Sequence, residues 1–358
     1  MWPDTKLCEL FDVKYPIILS PMAGSAGPAL AIAVCEAGGV GSLPCASLTL
    51  DEIAEHFTTV RQSTTKPLSL NFFCHEFREY EASREQAWLD RFSPYGAELG
   101  LEPTLDGDAS NLEPFGEEHC RLVEELRPTI ASFHFGLPTG DLVQRVKAAG
   151  CRVISSANTV AEARWLESRG CDAVIAQGTE AGGHRGMFLS QTVTEQAGTF
   201  ALVPQIADAI DVPVIAAGGV GDGRGIAAAF ALGASAVQMG TAYLFTDESL
   251  ASALYRERLN NASDNGTVLT NVFSGRPARG FANRVTHDLG PITEQPMDFP
   301  MGYGVLAQFK QKAEASGSTE FSSYLSGQSA SLGRAETAAQ LTERLVNEAE
   351  KIFSNLSA

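Results

Sequence analysis

A single histidine among glycines is the strongest candidate for chemistry in this sequence. The segment "AQGTEAGGHRG" (176–186) follows an apolar run at 172–175 and contains His184. Glycines allow a ligand to come close to the backbone, and histidine is the side chain whose charge changes near neutral pH. The other histidines have no such setting and fit structural or surface roles. They are His56, His75, His119, His134 and His287. We therefore predict a ligand site around His184.

Two further glycine-rich stretches also follow apolar runs, namely "AAGGVGDGRG" (216–225) and "QMGTA" (238–242). Backbone N–H groups in such loops, together with the N-terminus of a short helix, bind phosphate. Either stretch alone could simply end a strand tightly. The presence of both after neighbouring strands favours a phosphate site, which could belong to a substrate or to a cofactor.

Two amide side chains end apolar runs elsewhere in the chain. Asn71 and Gln177 can each donate and accept hydrogen bonds, as is needed to bind the polar edge of a planar ring such as a flavin isoalloxazine. Each amide could equally cap a nearby loop. The amides therefore suggest a ring-binding site but do not establish one.

Eight short apolar runs must position these groups. Continuous apolar runs separated by segments with helical spacing are typical of buried parallel strands. The runs cover 15–22, 40–43, 67–73, 129–136, 152–157, 173–178, 212–219 and 236–240. They predict an α/β protein with a (β/α)8 TIM barrel, in which residues that follow the strands converge on one face. A doubly wound Rossmann sheet is the alternative, but no GxGxxG follows the first strand.

The chain is longer than a bare barrel of roughly 250 residues. We predict a barrel over 1–260, with an insertion after strand 3 at about 76–128. Residues 261–358 would form a C-terminal extension that packs on the barrel, because helical spacing resumes at "ETAAQLTERLVNEAEKIF".

Composition excludes several classes of function. The net charge of −17 opposes binding to nucleic acid or to an anionic membrane surface. The first residues lack the basic and apolar regions of a signal peptide, so we expect no secretion; no run of 18 apolar residues occurs in the sequence, and the seven cysteines lack metal-ligand spacing. We expect a cytoplasmic protein with reduced cysteines and no metal, and the composition allows an oligomer.

The motifs together resemble those of the nitronate monooxygenases, formerly called 2-nitropropane dioxygenases. The resemblance runs from about residue 5 to 330. It rests on "PIILSPMAGSAGPALAIAVCEAGGVGSL" (16–43), "LNFFCHE" (70–76), "SFHFGLP" (132–138), "DAVIAQGTEAGGHRG" (172–186), "VPVIAAGGVGDGRG" (212–225) and "AVQMGTAYLFTDES" (236–249). The combination of "SFHFGLP" with "QGTEAGGHRG" is the most specific part.

This resemblance implies an FMN-containing TIM barrel that oxidises alkyl nitronates with dioxygen, giving a carbonyl compound and nitrite. His184 matches the catalytic histidine of the family, and His134 and Tyr303 would contact the substrate. The implied FMN contacts are Met22, Ala23, Asn71, Gln177, Gly182, Gly183, Gly218, Gly219, Gln238, Met239, Gly240 and Thr241.

Several functional alternatives stay open at the level of sequence. His184 could remove the acidic carbon proton of a neutral nitroalkane, or it could hold a nitronate that arrives as an anion. A flavin reductase of quinones or enoyl thioesters that uses NAD(P)H would share the barrel and several glycine turns. A non-catalytic flavin- or phosphate-binding barrel is the third interpretation, because no second acid or base accompanies His184.

Overall fold

All eight apolar runs form strands of one parallel sheet that closes into a barrel. The computed structural model describes residues 2–76, 82–104, 112–190, 192–294 and 296–356. The barrel strands are β1 (Ile17–Leu19), β2 (Gly41–Pro44), β3 (Leu68–Phe73), β4 (Ile130–His134), β5 (Arg152–Ala157), β6 (Ala173–Gln177), β8 (Val214–Ala217) and β9 (Ala236–Met239). A separate antiparallel sheet contains β7 (Gly183–His184), β10 (Thr267–Thr270) and β11 (Ala278–Phe281). The predicted (β/α)8 barrel is confirmed.

Barrel closure brings the ends of all eight strands together. From β2 to β9, each barrel strand pairs in parallel with the next barrel strand, and β9 pairs with β1. The junction between β1 and β2 is held by a bridge between Ile18 and Val40, in which the Leu19 N–H donates to the Val40 carbonyl at 2.9 Å. The carboxyl ends of the strands therefore surround one opening, where barrels of this type carry their functional loops.

Apolar side chains alternate between the two sides of the barrel wall, as successive residues of a strand must. Ile18, Ile154 and Ile215 belong to a buried cluster inside the barrel, whereas Ile17 and Leu19 belong to the cluster under the surrounding helices. Leu7 and Phe11 of the first helix join the inner cluster together with the first residues of β4, β6 and β9. This helix therefore closes the amino end of the barrel.

The helices begin and end where local sequence signals place them. Thr49 forms a capping box with Glu52, and the Asp222 carboxylate caps the helix that follows it. The helices are α1 (Lys6–Phe11), α2 (Pro28–Glu36), α3 (Leu50–Ser63), α4 (Ala82–Leu99), α5 (Glu117–Leu126), α6 (Gly140–Ala148), α7 (Val160–Ser168), α8 (Thr199–Ala207), α9 (Gly223–Ala231), α10 (Ala253–Asn260), α11 (Arg284–Asp288), α12 (Gly302–Glu314) and α13 (Ala338–Leu356).

The last helix of the chain returns to the ring of helices around the barrel. α13 packs against α9 and α2 and buries Leu341, Leu345 and Phe353. The approach to α9 is so close that a Cβ on Gly223 would lie 2.3 Å from the Cβ of Glu348. α13 therefore fills the gap between the helices that flank the first and last strands.

A second, smaller core joins the insertion to the C-terminal extension. Trp88 and Phe92 of α4 pack with Phe309 of α12 and with Phe321. Salt bridges from Arg84 to Asp298 and from Arg284 to Glu98 connect the same two parts of the chain. Residues 77–81 and 105–111 of the predicted insertion lie outside the described residues. The core between α4 and α12 supports α12 from one side.

All seven cysteines are free thiols. Burial raises the pKa of Cys45 to about 12, so this thiol stays protonated at neutral pH. Within the described ranges, no helix is both long and apolar enough to cross a membrane.

Candidate active site

One cavity of about 580 Å³ opens at the carboxyl ends of the barrel strands. This volume lies within the range of small-molecule and cofactor sites. The cavity is lined by every site residue that the sequence analysis singled out, namely Met22, Ala23, Asn71, His134, Gln177, Gly182, Gly183, His184, Gly218, Gly219, Gln238, Met239, Gly240, Thr241 and Tyr303. Residues up to 281 positions apart in the chain therefore share one site, because the barrel collects its loops at one end.

His184 reaches the cavity from a short strand and not from a free loop. Gly183 and His184 form β7, which pairs with β11 so that Ala278 lies opposite His184. The φ angle of Gly183 is 82°, in the left-handed region where a side chain would be strained. The C-terminal extension thus fixes the backbone of the candidate catalytic residue.

The imidazole of His184 is almost completely buried, with 8% of the residue exposed. Its Nε2 atom lies 2.8 Å from the Ser274 hydroxyl and 3.3 Å from the Tyr303 hydroxyl. The rings of Phe135 and Phe299 pack edge-on against it, at centroid distances of 6.2 and 5.4 Å. In the described part of the chain, Nδ1 has no hydrogen-bond partner. The sequence offered no signal for Ser274, which follows a strand of the extension.

Burial decides the charge of His184. Desolvation lowers the pKa of His184 to about 3, and electrostatic interactions with His134 and Arg276 contribute less. The imidazole is therefore neutral at pH 7, with one ring nitrogen free to accept a proton. A negatively charged ligand beside it would favour the imidazolium and raise this pKa.

The lowered pKa of His184 predicts a specific loss of stability in acid. The unfolded chain binds a proton at this residue below about pH 6.5, whereas the folded chain binds it near pH 3. Stability therefore falls as the pH falls from about 6.5 towards 3, and above about 6.5 the group contributes nothing. Between about pH 7.5 and pH 5, wild type should lose about 2 kcal/mol more unfolding free energy than His184→Gln. Equal losses in denaturant unfolding at matched flavin content would contradict the burial of His184.

Two buried arginines hold the loop that leads to His184. Arg185 is fully buried and donates to the carbonyl groups of Gln177 and Gly178, both at 2.6 Å. Arg279 of β11 donates to the Thr179 carbonyl at 2.7 Å. Three consecutive carbonyl groups are thus bound by guanidinium groups. Arg185 also donates to the side-chain oxygen of Gln196 at 2.8 Å. The adjacency of Arg185 to His184 was visible in the sequence, but its role in holding the loop was not, because the loop acceptors are main-chain carbonyl groups.

The side-chain amides of Asn71 and Gln177, which the sequence suggests for binding a ring edge, are not equally available to a ligand. The Gln177 side-chain oxygen accepts from the Asn158 amide at 2.9 Å and from the Gly186 N–H at 2.8 Å, so it serves the loop. Asn71 donates to the Ser132 hydroxyl at 3.1 Å, and no described donor binds its oxygen. The side chain of Gln238 has no described partner and lines the cavity. Asn71 and Gln238 are therefore better placed than Gln177 to bind a ring edge.

The glycine-rich corner, which contains Gly219, Gly240 and Thr241, holds backbone donors that no described protein group uses. Among the described residues, no acceptor binds the N–H groups of Gly219, Gly240 and Thr241, which all line the cavity. The N-terminus of α9 is not available, because its N–H groups bind the carboxylates of Asp222 and Glu348. Of the stretch 216–225, only the part up to residue 220 faces the cavity, so a phosphate would rest on the loops and not on α9.

One face of α12 forms a wall of the cavity that the sequence analysis identified only at Tyr303. Leu306, Ala307, Lys310 and Glu314 line the same wall. Their spacing of three, four, seven and eleven residues from Tyr303 is that of one helical face, a signal present in the sequence. Within the described ranges, no group of three or more His, Cys, Asp or Glu side chains could hold a metal ion.

Comparison with known proteins gives consistent matches along the whole chain. A family model described as nitronate monooxygenase matches residues 4–348. A nitronate monooxygenase of Pseudomonas aeruginosa is 42% identical over 346 residues, which cover 96% of this chain and 98% of that protein. The solved structure of a nitroalkane oxidase from Streptomyces ansochromogenes has a TM-score of 0.89 at 32% identity, covering 98% of this chain and 99% of the other. FabK from Thermotoga maritima has a TM-score of 0.76 at 29% identity, covering 98% and 97%.

Proposed function

Because the chain belongs to the nitronate monooxygenase family of flavin-dependent oxidoreductases, we propose that it oxidises alkyl nitronates with dioxygen at a noncovalently bound FMN. The products would be a carbonyl compound and nitrite. The observation that carries this proposal is the neutral, buried His184 in the cavity that also holds the unused backbone donors of Gly219, Gly240 and Thr241.

The donors of the cavity fit FMN better than a flavin dinucleotide. The free N–H groups of Gly219, Gly240 and Thr241 form one corner, which suits a single terminal phosphate. The free oxygen of Asn71 and the amide of Gln238 can meet the donors and acceptors of a ring edge. When bound, the flavin accepts electrons from the substrate and passes them to dioxygen. Met22, Ala23, Gly182, Gly183, Gly218 and Met239 complete the proposed cofactor contacts.

The chain's own residues would bind the substrate as an anion. A bound nitronate raises the proton affinity of the neutral His184 imidazole. The anion and the imidazole therefore form a charge-assisted hydrogen bond. The Tyr303 hydroxyl, 3.3 Å from Nε2, lies on the cavity side and can donate to a nitronate oxygen. Phe135 and Phe299 keep water away from this contact.

A nitronate suits this site better than a neutral nitroalkane. Oxidation of a nitroalkane requires His184 to take a proton from carbon, and its pKa of about 3 makes the isolated imidazole a weak base. A nitronate arrives without that proton. We therefore propose the nitronate as the main substrate, with His184 as the residue that holds the anion.

Anaerobic reduction of the bound flavin tests the proposed function. Ethyl or propyl nitronate should bleach the flavin absorbance of the purified protein, whereas NADH and NADPH should not, because no nicotinamide-binding fingerprint occurs in the chain. Admission of air should restore the absorbance and release nitrite. Rapid bleaching by NADH or NADPH with no response to nitronates would replace the proposal by the reductase alternative.

A further inference from the structure

The end of β4 contacts both the main chain and the imidazole ring of His184. Nε2 of His134 lies 3.1 Å from the main-chain carbonyl oxygen of His184. A carbonyl oxygen can only accept, so Nε2 of His134 carries a proton in this contact. The side-chain amide of Gln177 donates to the same oxygen at 2.9 Å. The His184 carbonyl is thus held by two side chains from the barrel strands β4 and β6.

The other ring nitrogen of His134 is bound by Ser156 of β5. The distance from Ser156 Oγ to Nδ1 of His134 is 2.5 Å. Desolvation keeps His134 neutral by lowering its pKa to about 3, so with Nε2 protonated, Nδ1 must accept and Ser156 must donate. Both nitrogens of His134 therefore have protein partners, and neither is left for a substrate.

The close packing around this pair depends on a glycine of the His184 segment. A Cβ added to Gly186 would lie 2.5 Å from Ser156 Oγ and 3.0 Å from Cε1 of His134. The next residue after His134 is Phe135, whose φ angle of 69° is strained for a side chain of this size. This turn brings the Phe135 ring against the imidazole of His184, at 6.2 Å between centroids. Two consecutive residues thus contact the backbone and the ring of His184.

We propose that Ser156 and His134 form a positioning pair that fixes the His184 backbone and thereby aims its imidazole at the substrate. His134 then acts through His184 and is not a substrate ligand, in contrast to what the sequence analysis expected. This inference rests on the proposed function of His184. β7 pairs on one side only, with β11, so the pair and Gln177 supply the constraint from the barrel side.

Substitutions at His134 separate positioning from substrate binding. In the flavin-loaded enzyme, His134→Leu should lower kcat with an alkyl nitronate about 10- to 100-fold with little change in KM, because small misplacements of a reacting group have effects of this size. His134→Gln keeps an N–H donor at a similar reach and should recover most of the lost kcat. A rise in KM at unchanged kcat in His134→Leu, or no recovery in His134→Gln, would overturn the proposal.

Ser156→Ala tests the pair without altering the cavity wall strongly. It should lower kcat in the wild-type background and have no further effect in His134→Leu, since Ser156 acts only through His134. The matched control is Ser155→Ala in the same strand, whose hydroxyl donates to Phe133 and Gly136 and not to His134. It should keep wild-type kcat. Equal losses in the two serine variants, or additive effects of Ser156→Ala and His134→Leu, would overturn the pair.

The result for His184→Asn distinguishes failure of this inference from failure of the proposed function. If His184→Asn keeps full activity, the role of His184 itself is wrong. If His184→Asn is impaired while the His134 and Ser156 variants show wild-type kcat, only the positioning pair is wrong.

Discussion

If the enzyme accepts a neutral nitroalkane, turnover of that substrate is expected to fall about 10²- to 10⁴-fold in the His184→Asn variant, equivalent to about 3 to 5 kcal/mol of barrier. Such a nitroalkane must give up its carbon proton before oxidation, and the proposed base for this step is His184, whose Nε2 lies beside the hydroxyl groups of Ser274 and Tyr303. Asparagine is polar but cannot take the proton. Nitronate turnover should fall less, about tenfold, through loss of one hydrogen bond to a charged group.

The measurement is kcat/KM for a nitroalkane and for its own nitronate, prepared from the same compound. Flavin content must be compared first, and it should match that of wild type, because the described side-chain hydrogen bonds of His184 are to Ser274 and Tyr303 and not to Gly219, Gly240 or Thr241. His184→Gln is a useful second variant, since its longer amide can still contact Ser274. Wild-type rates for both substrates with full flavin would show that His184 has a structural role only.

Gly240→Val is expected to weaken FMN binding about 10²- to 10⁴-fold. The φ angle of Gly240 is −114°, which other residues adopt, so the substitution should not strain the backbone. A Cβ at this position lies 3.2 Å from the Cβ of Ser20 and 3.4 Å from Met22 Sδ, at the cavity wall. The valine methyl groups would then obstruct the phosphate donors, and two lost hydrogen bonds to a charged group cost about 3 to 6 kcal/mol.

Flavin absorbance per protein after purification, followed by titration with FMN, measures this effect. Gly140→Val is the matched control, because nothing lies within 4 Å of a Cβ added at the exposed start of α6. It should bind FMN like wild type. Stoichiometric FMN in Gly240→Val would show that the phosphate lies elsewhere in the cavity.

The barrel could be predicted from sequence because its signal is local. A parallel strand buried on both faces must be apolar throughout, so each run from Ile17–Leu19 to Ala236–Met239 stands out without knowledge of its neighbours. The candidate site followed from the same logic, since polar and glycine residues that directly follow such strands converge at one end. Asn71, Gln238 and Gly240 could be assigned to one site for this reason.

The supports of His184 could not be predicted, because they come from distant parts of the chain. Ser274 lies 90 residues away from His184, and the pairing of β7 with β11 involves only two residues of β7. So short a strand carries no periodic signal. Arg185 and Arg279 hold the loop through its main-chain carbonyl groups, which every residue possesses, so the residue types of the loop could not indicate these contacts.

The sequence by itself determined the barrel and the residues at its mouth, because burial on both faces and the need for close backbone approach restrict residue types position by position. Tertiary structure alone decided what those residues can do. The cluster of Phe135, Phe299 and Tyr303 removes His184 from water and keeps it neutral. The carboxylates of Asp222 and Glu348 occupy one set of backbone donors and leave those of Gly219, Gly240 and Thr241 for a ligand. Desolvation and hydrogen-bond competition depend on all atoms within a few ångströms, and only the folded chain brings those atoms together.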